Sequence, residues 1–264
     1  MRKYKEIAKM FFKTQLIWRF DVIFNMLFTV IKILFAYILW GAIFGERDMV
    51  SNFTFHAMLS YYIISSFLSQ IEMSDNVSNE ISSKIRNGTF SKYMVIPVNI
   101  ERYFIAQSAG NVCFYLFFDF VAALVWIFVF KINFVFTSDI YMIIMAVILV
   151  IQGLIFMIQL NYFLGILTLK FQDIKIFLMI KNNLVAFITG TLVPLALLPE
   201  SIVRLMRFFP FYYVTYLPSM LLIGKNQEEA LTGVITLAVW MAFFIVINRL
   251  FYNTLRIKYD GVGI

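Results

Sequence analysis

The chain has 264 residues, of which 62% are hydrophobic and 14% charged, with a net charge of +7 and a mean hydropathy of +0.85. Soluble domains run about 45–50% apolar and about 25% charged, so soluble, disordered and fibrous proteins are all excluded. The single cysteine, Cys113, and single histidine, His56, exclude an internal disulfide, a thiolate cluster and a multi-histidine metal or haem site.

Residues 1–19 carry Arg2, Lys3, Lys5, Lys9, Lys13 and Arg19, too much charge over too long a stretch for a signal peptide. Ile7, Met10, Phe11, Thr14 and Ile17 recur at helical spacing, which predicts an amphipathic helix lying on a membrane surface. Six apolar runs follow, each near the ~20 residues that a helix needs to cross a bilayer: 22–44, 53–71, 112–130, 140–169, 176–198 and 230–252. They leave too little chain for a separate catalytic domain of about 100 residues. The sequence therefore predicts one all-α transmembrane domain over 1–264.

The first run holds Lys32 and ends in the close-packing pair Gly41 and Gly45. Charges inside a span are costly and default to function; Lys32 and Asp119, the latter in the third run, lie at similar depth and are a candidate ion pair, as structural glue or as a substrate contact. The fourth run is longer than a bilayer core requires and must tilt, kink near Gly153 or Gly165, or extend beyond the bilayer. Its Gln152, Gln159 and Asn161 either face a pathway or bond across helices. His56 and Cys113 read as packing residues.

The connection 72–111 reads as two short helices. Asn87-Gly88 supplies a left-handed stop, Thr89 is placed to cap the second helix, and Pro97 ends it. Ile81, Ile85, Phe90, Tyr93 and Met94 make an apolar face, either a docking element for a cytosolic partner or a loop packing on its own spans. Four closely spaced prolines punctuate the segment 199–229 and its approach: Pro194, Pro199, Pro210 and Pro218. It predicts short external re-entrant helices before the last span. Ile202, Leu205, Met206 and Phe209 share an apolar face, and Arg204 and Arg207 mark the polar side. Arg204, Arg207, Phe208 and Phe209 are a candidate external gate, the alternative being a structural cap.

Counting Lys and Arg with the N-terminus inside, 1–19 holds six, 72–111 four, and 170–181 and 249–264 three each. The other side holds only Arg47, Lys131, Arg204, Arg207 and Lys225. The positive-inside asymmetry predicts both termini in the cytoplasm, and it accounts for the net charge without nucleic acid. No phosphate-binding G-x-x-x-x-G-K-[ST] loop, G-x-S-x-G, H-E-x-x-H or C-x-x-C motif occurs. The expectation is a non-enzyme with no catalytic, cofactor or metal site of its own.

The spacing Glu80-x-x-x-x-Ile85-Arg86-x-Gly88-Thr89-Phe90-x-x-Tyr93-Met94-x-x-Pro97, the basic amphipathic start, the six runs and the proline-interrupted segment before the last run resemble the permease subunit of an ABC-2-type transporter. The opening, with Tyr4, Trp18-Arg19 and Leu39-Trp40-Gly41-Ala42-Ile43-Phe44, is similar to bacterial six-span permeases of this length, often paired with a sister permease. The resemblance implies a second permease subunit, identical or a sister, two cytosolic ABC ATPase subunits that bind ATP and Mg2+, and residence in the bacterial cytoplasmic membrane among lipid. It implies that Glu80, Ile81, Ile85, Arg86, Gly88, Thr89, Phe90, Tyr93 and Met94 form a coupling helix seated on the ATPase, and that 1–19 is an interface helix. It implies export of an amphipathic substrate such as a drug, an antimicrobial peptide or a lipid-like molecule. A secondary transporter or channel without an ATPase is disfavoured by the lack of an internal repeat. A membrane enzyme of lipid metabolism is disfavoured by the single histidine.

Overall fold

The computed structural model describes residues 2–17, 19–50, 52–129, 133–189, 195 and 198–259. They form α1 (Arg2–Gln15), α2 (Arg19–Phe44), α3 (Phe55–Ile71), α4 (Asp75–Arg86), α5 (Ser91–Val95), α6 (Ile100–Val129), α7 (Ile140–Ile166), α8 (Thr168–Phe171), α9 (Lys175–Ile188), α10 (Glu200–Met206), α11 (Tyr216–Leu222) and α12 (Ala230–Leu255). Among the described residues there is no β-strand, only an isolated bridge between Val50 and Phe53. The chain is all-α, as expected.

Local chemistry sets several helix starts. Thr54 Oγ1 accepts the Ala57 N–H at 3.3 Å to open α3, and Asp139 Oδ1 accepts the Tyr141 N–H at 2.9 Å to open α7. Two helical stretches of the described residues, Ile140–Phe171 and Gln227–Leu255, are long and apolar enough to cross a bilayer. Helices α2, α3, α6 and α9 occupy the other four segments expected to span. Within the described residues α9 has 14 residues; the expected run 176–198 continues through 190–194 and 196–197, outside them. The long fourth run is interrupted at Leu167, two residues beyond Gly165, where α7 gives way to α8. Gly153 has a different use, receiving the Val214 backbone. At Gly41 an added Cβ would meet nothing within 4 Å, so the Gly41/Gly45 pair brings no helix close among the described residues.

Helix α7 is the hub, packed by α12, α4, α11 and α6. Its first half enters a large core with α2, α3, α11 and α12 built on Trp40, Met58, Tyr61, Leu149, Phe156, Tyr212 and Leu217. Its second half enters a separate core with α4, α5 and α6: Val77, Ile81, Ile85, Phe90, Tyr93, Phe104, Ile158, Tyr162 and Ile166. Helix α1 lies along α6, Phe11 meeting Tyr103 edge-on at 6.1 Å. Arg2, Lys5, Lys9 and Lys13 stay exposed on the face away from this contact. A Cβ on Gly110 would overlap the Ala8 carbonyl oxygen and approach Phe12 N at 3.1 Å. Gly110→Leu is therefore expected to lift α1 off α6 at a cost of about 1–3 kcal/mol, seen as a lower thermal midpoint and faster proteolysis within residues 1–19.

Candidate functional site

The α4–α5 hairpin is fastened to the bundle by its apolar face. Ile81, Ile85 and Phe90 are fully buried and Tyr93 nearly so. A Cβ on Gly165 would come within 2.9 Å of Ile81 Cβ, so the absent side chain lets α4 sit directly on α7. Glu80 adds polar ties: its Oε1 accepts the Tyr93 hydroxyl at 2.6 Å and its Oε2 accepts Gln107 Nε2 at 2.9 Å. Burial first, and then this bond to Glu80, push the Tyr93 phenol well above its ordinary range. The Phe90 N–H donates to Tyr259 Oη at 3.0 Å, so the chain's last described residue straps the hairpin.

The expectation that Ile81, Ile85, Phe90 and Tyr93 present an apolar face to a partner is corrected. They face inward because the ends of α6 and α7 supply the apolar surface they need. Gly88 does adopt the left-handed conformation of the expected stop, at φ 68°. Thr89 does not cap α5; its hydroxyl donates back to the Lys84 carbonyl at 3.4 Å. What the hairpin leaves outside is Asn76, Asn79, Asn87, Ser91, Lys92, Val95 and Ile96, with Arg86 and Met94 half-buried. Val95 is 80% exposed.

Beside the hairpin lies a polar cluster. Lys181 of α9, 7% exposed, pairs with Asp75 at the start of α4, whose side chain is 42% exposed. Glu72 follows α3, and its Oε1 accepts both the N–H (3.0 Å) and the hydroxyl of Ser74. Asn161 Nδ2 of α7 donates to Ser74 Oγ at 2.6 Å. Glu72 also lines a cavity of about 160 Å3 with Ser69, Met157, Asn182, Val185, Ala186, Thr189, Val214 and Thr215. The cavity lies between α3, α7 and α9, under residues 214–215 that lead into α11. Gly153, where Val214 packs, is 13 residues along α7, about 20 Å from that helix's start. The proline-interrupted segment thus plunges deep into the bundle before returning.

Burial holds the Glu72 carboxyl above its ordinary value of 4.5, opposed by Ser74 and Lys181 and aided by Asp75. A carboxyl with a higher pKa folded than unfolded binds its proton more tightly in the fold. Its contribution to stability is therefore present at low pH and is lost as pH rises from about 4.5 through the folded pKa. Glu72→Gln is expected to flatten that part of the profile in thermal unfolding between about pH 4 and 8.

The sequence-chosen pathway residues on α7 lie elsewhere. Asn161 bonds to Ser74, and the Gln159 carbonyl accepts Asn248 Nδ2 at 3.1 Å, so these two sit at interhelical bonds. Gln152 Oε1 is buried without a partner among the described residues. None of the three lines the cavity; Met157 does. Lys32 is exposed on α2, and the Asp119 side chain lies outside the described residues. Cys113 is exposed rather than packed.

At the opposite end, the contacts of Arg207 are those of the structural cap, the second of its two readings. Its Nη1 bonds Glu200 at 2.8 Å and its Nη2 bonds Glu229 at 3.0 Å, while the Tyr212 hydroxyl donates to Glu229 Oε2 at 2.7 Å. This ties α10 to the start of α12. Arg204, Phe208 and Phe209 are exposed, Phe208 at 71%. Ile202 and Leu205 are exposed with them, whereas Met206 of the expected common face is buried.

A family model described as ABC-2 family transporter protein matches residues 30–263. No curated protein matches the chain.

Proposed function

The chain belongs to the ABC-2 transporter family, and from that premise we propose that it is the transmembrane permease subunit of an ATP-driven exporter. The family is a membrane transport component that works with an ABC ATPase and is not itself catalytic. In this reading the chain crosses the cytoplasmic membrane six times with both termini inside and pairs with a second permease, and the pair receives two ATPase subunits, one of them on this chain's α4–α5 hairpin.

The observation that carries the reading is the construction of that hairpin. A helix rooted by Ile81, Ile85, Phe90 and Tyr93 in the same core as α6 and α7 cannot move without them, because close-packed interiors transmit displacement. ATPase closure pushing on Lys92, Val95 and Ile96 shifts α7 through Ile81 and Gly165, and α7 carries the Gly153 contact that holds residues 214–215 over the cavity. Differential ATPase affinity for the two arrangements then drives the substrate. The exposed apolar residues Ile202, Leu205, Phe208 and Phe209 favour an amphipathic or lipid-like cargo leaving along the outer membrane surface.

The test is co-expression with its ATPase, co-purification, and ATP-dependent accumulation of amphipathic dyes in inside-out vesicles. A stable complex with ATP-dependent accumulation supports the exporter; no complex refutes it, and a complex driving movement only out of such vesicles reverses the direction.

A further inference from the structure

Three features at the Glu72 cavity point to one class of ligand. The first is charge. The Glu72 and Asp75 carboxyls face a single ammonium, Lys181, and Asp75 takes the direct contact. With both carboxyls ionised the cluster is one positive charge short. The second is the bonding of Glu72. Both Ser74 bonds fall on Oε1, so among the described residues Oε2 keeps its acceptor capacity while Glu72 lines the cavity.

The third is the wall. Among the described residues Glu72 is the one charged side chain of the lining; Ser69, Asn182, Thr189 and Thr215 add neutral polar groups, and Met157, Val185, Ala186 and Val214 add apolar surface. A volume of about 160 Å3 is near the ~150 Å3 that admits a benzene ring. That suits a compact branched head with diffuse charge better than a bare, strongly hydrated metal ion. Apolar surface against methyl groups and a carboxylate against the charge is the division that a quaternary ammonium requires.

We propose that this cavity binds the cationic head, an alkyl- or quaternary ammonium, of an amphipathic substrate, with Glu72 as its counter-ion. The proposal rests on the permease reading and adds the substrate class. With the head beside an ionised Glu72, the two carboxylates, Lys181 and the ligand together are neutral. Val214, packed on Gly153, and Thr215 line the cavity on the side that leads into α11, so a movement of α7 reshapes it around the head.

The experiment uses the full chain in neutral-lipid nanodiscs, with choline chloride as probe and 3,3-dimethylbutan-1-ol, its uncharged isostere, as control. Choline at about ten times its half-saturating concentration should raise the thermal midpoint by roughly 3–5 °C, and the isostere should not. Glu72→Gln should weaken choline at least tenfold. Ala186→Leu, which adds apolar volume to the cavity lining and leaves the Glu72 carboxyl in place, should abolish the shift and covers the case in which the glutamine variant folds poorly. No shift in the wild type means a cavity holding water only and overturns the proposal. So does an equal shift with the isostere, or an equal shift in Glu72→Gln. ATPase co-purification is read on the same samples. If Glu72→Gln retains the ATPase whatever choline does, the permease reading stands; if the wild type never binds an ATPase, that reading fails independently of the cavity.

Discussion

Ile81→Asp is expected to prevent the α4–α5 hairpin from assembling, with a stability loss of about 4–5 kcal/mol. Ile81 is fully buried, its Cβ rests against the backbone of Gly165, and its neighbours Val77, Ile85, Phe104 and Ile166 offer no polar group. Aspartate there removes the apolar contact and leaves a carboxyl with no hydrogen-bond partner. A domain holds only about 5–15 kcal/mol in total, so the variant should give a sharply lowered thermal midpoint and aggregation on extraction. Val95→Asp, five-residue α5 included, alters a side chain that is 80% exposed, and its expected cost is within about 0.5 kcal/mol. Equal stability of the two variants would mean that the hairpin is not rooted by this core.

The second large effect is at the Asp75–Lys181 pair. Asp75→Asn leaves a nearly buried ammonium with only Glu72, which does not touch it directly, to balance its charge. Removing one partner of a buried pair costs about 3–5 kcal/mol; with the Asp75 side chain 42% exposed, about 2–3 kcal/mol is expected here. Lys181→Met should cost less, since it strands a carboxylate that water still reaches. The double variant should recover much of the loss, because two matched neutral groups avoid the uncompensated charge. Denaturant unfolding of all four forms gives the cycle; strictly additive costs would show that the pair is not coupled.

Both effects involve residues that periodicity handled unevenly. Spacing placed Ile81, Ile85, Phe90 and Tyr93 on one face of a short hairpin and set Gly88 as its stop, and the structure agrees. It could not say what the face packs against, because an apolar stripe is equally satisfied by a partner or by the chain's own helices, and the nearby ends of α6 and α7 were not visible in a linear count. Lys181 was counted as a basic flank, although it lies five residues inside the run 176–198 and the rule applied to Lys32 and Asp119 applied to it as well. Arg207 reads as the polar side of a re-entrant helix; Glu200 lies seven residues back, two turns along α10, while Glu229 lies 22 residues on and meets it because the segment between them dives to Gly153 and returns. The cavity was not legible at all, since it joins α3, α7, α9 and residues 214–215 through tertiary packing alone.

The decisive measurement is ATPase retention by a Val95→Asp/Ile96→Asp permease, compared with wild type and with Arg204→Asp at the opposite end. Both sites are exposed, so all three proteins should be equally stable. Wild type and Arg204→Asp should co-purify with the ATPase and support ATP-dependent transport, while the hairpin variant should remain folded, lose the ATPase at least tenfold and transport nothing. A folded hairpin variant that keeps its ATPase and its transport would contradict docking through the exposed face of α4–α5.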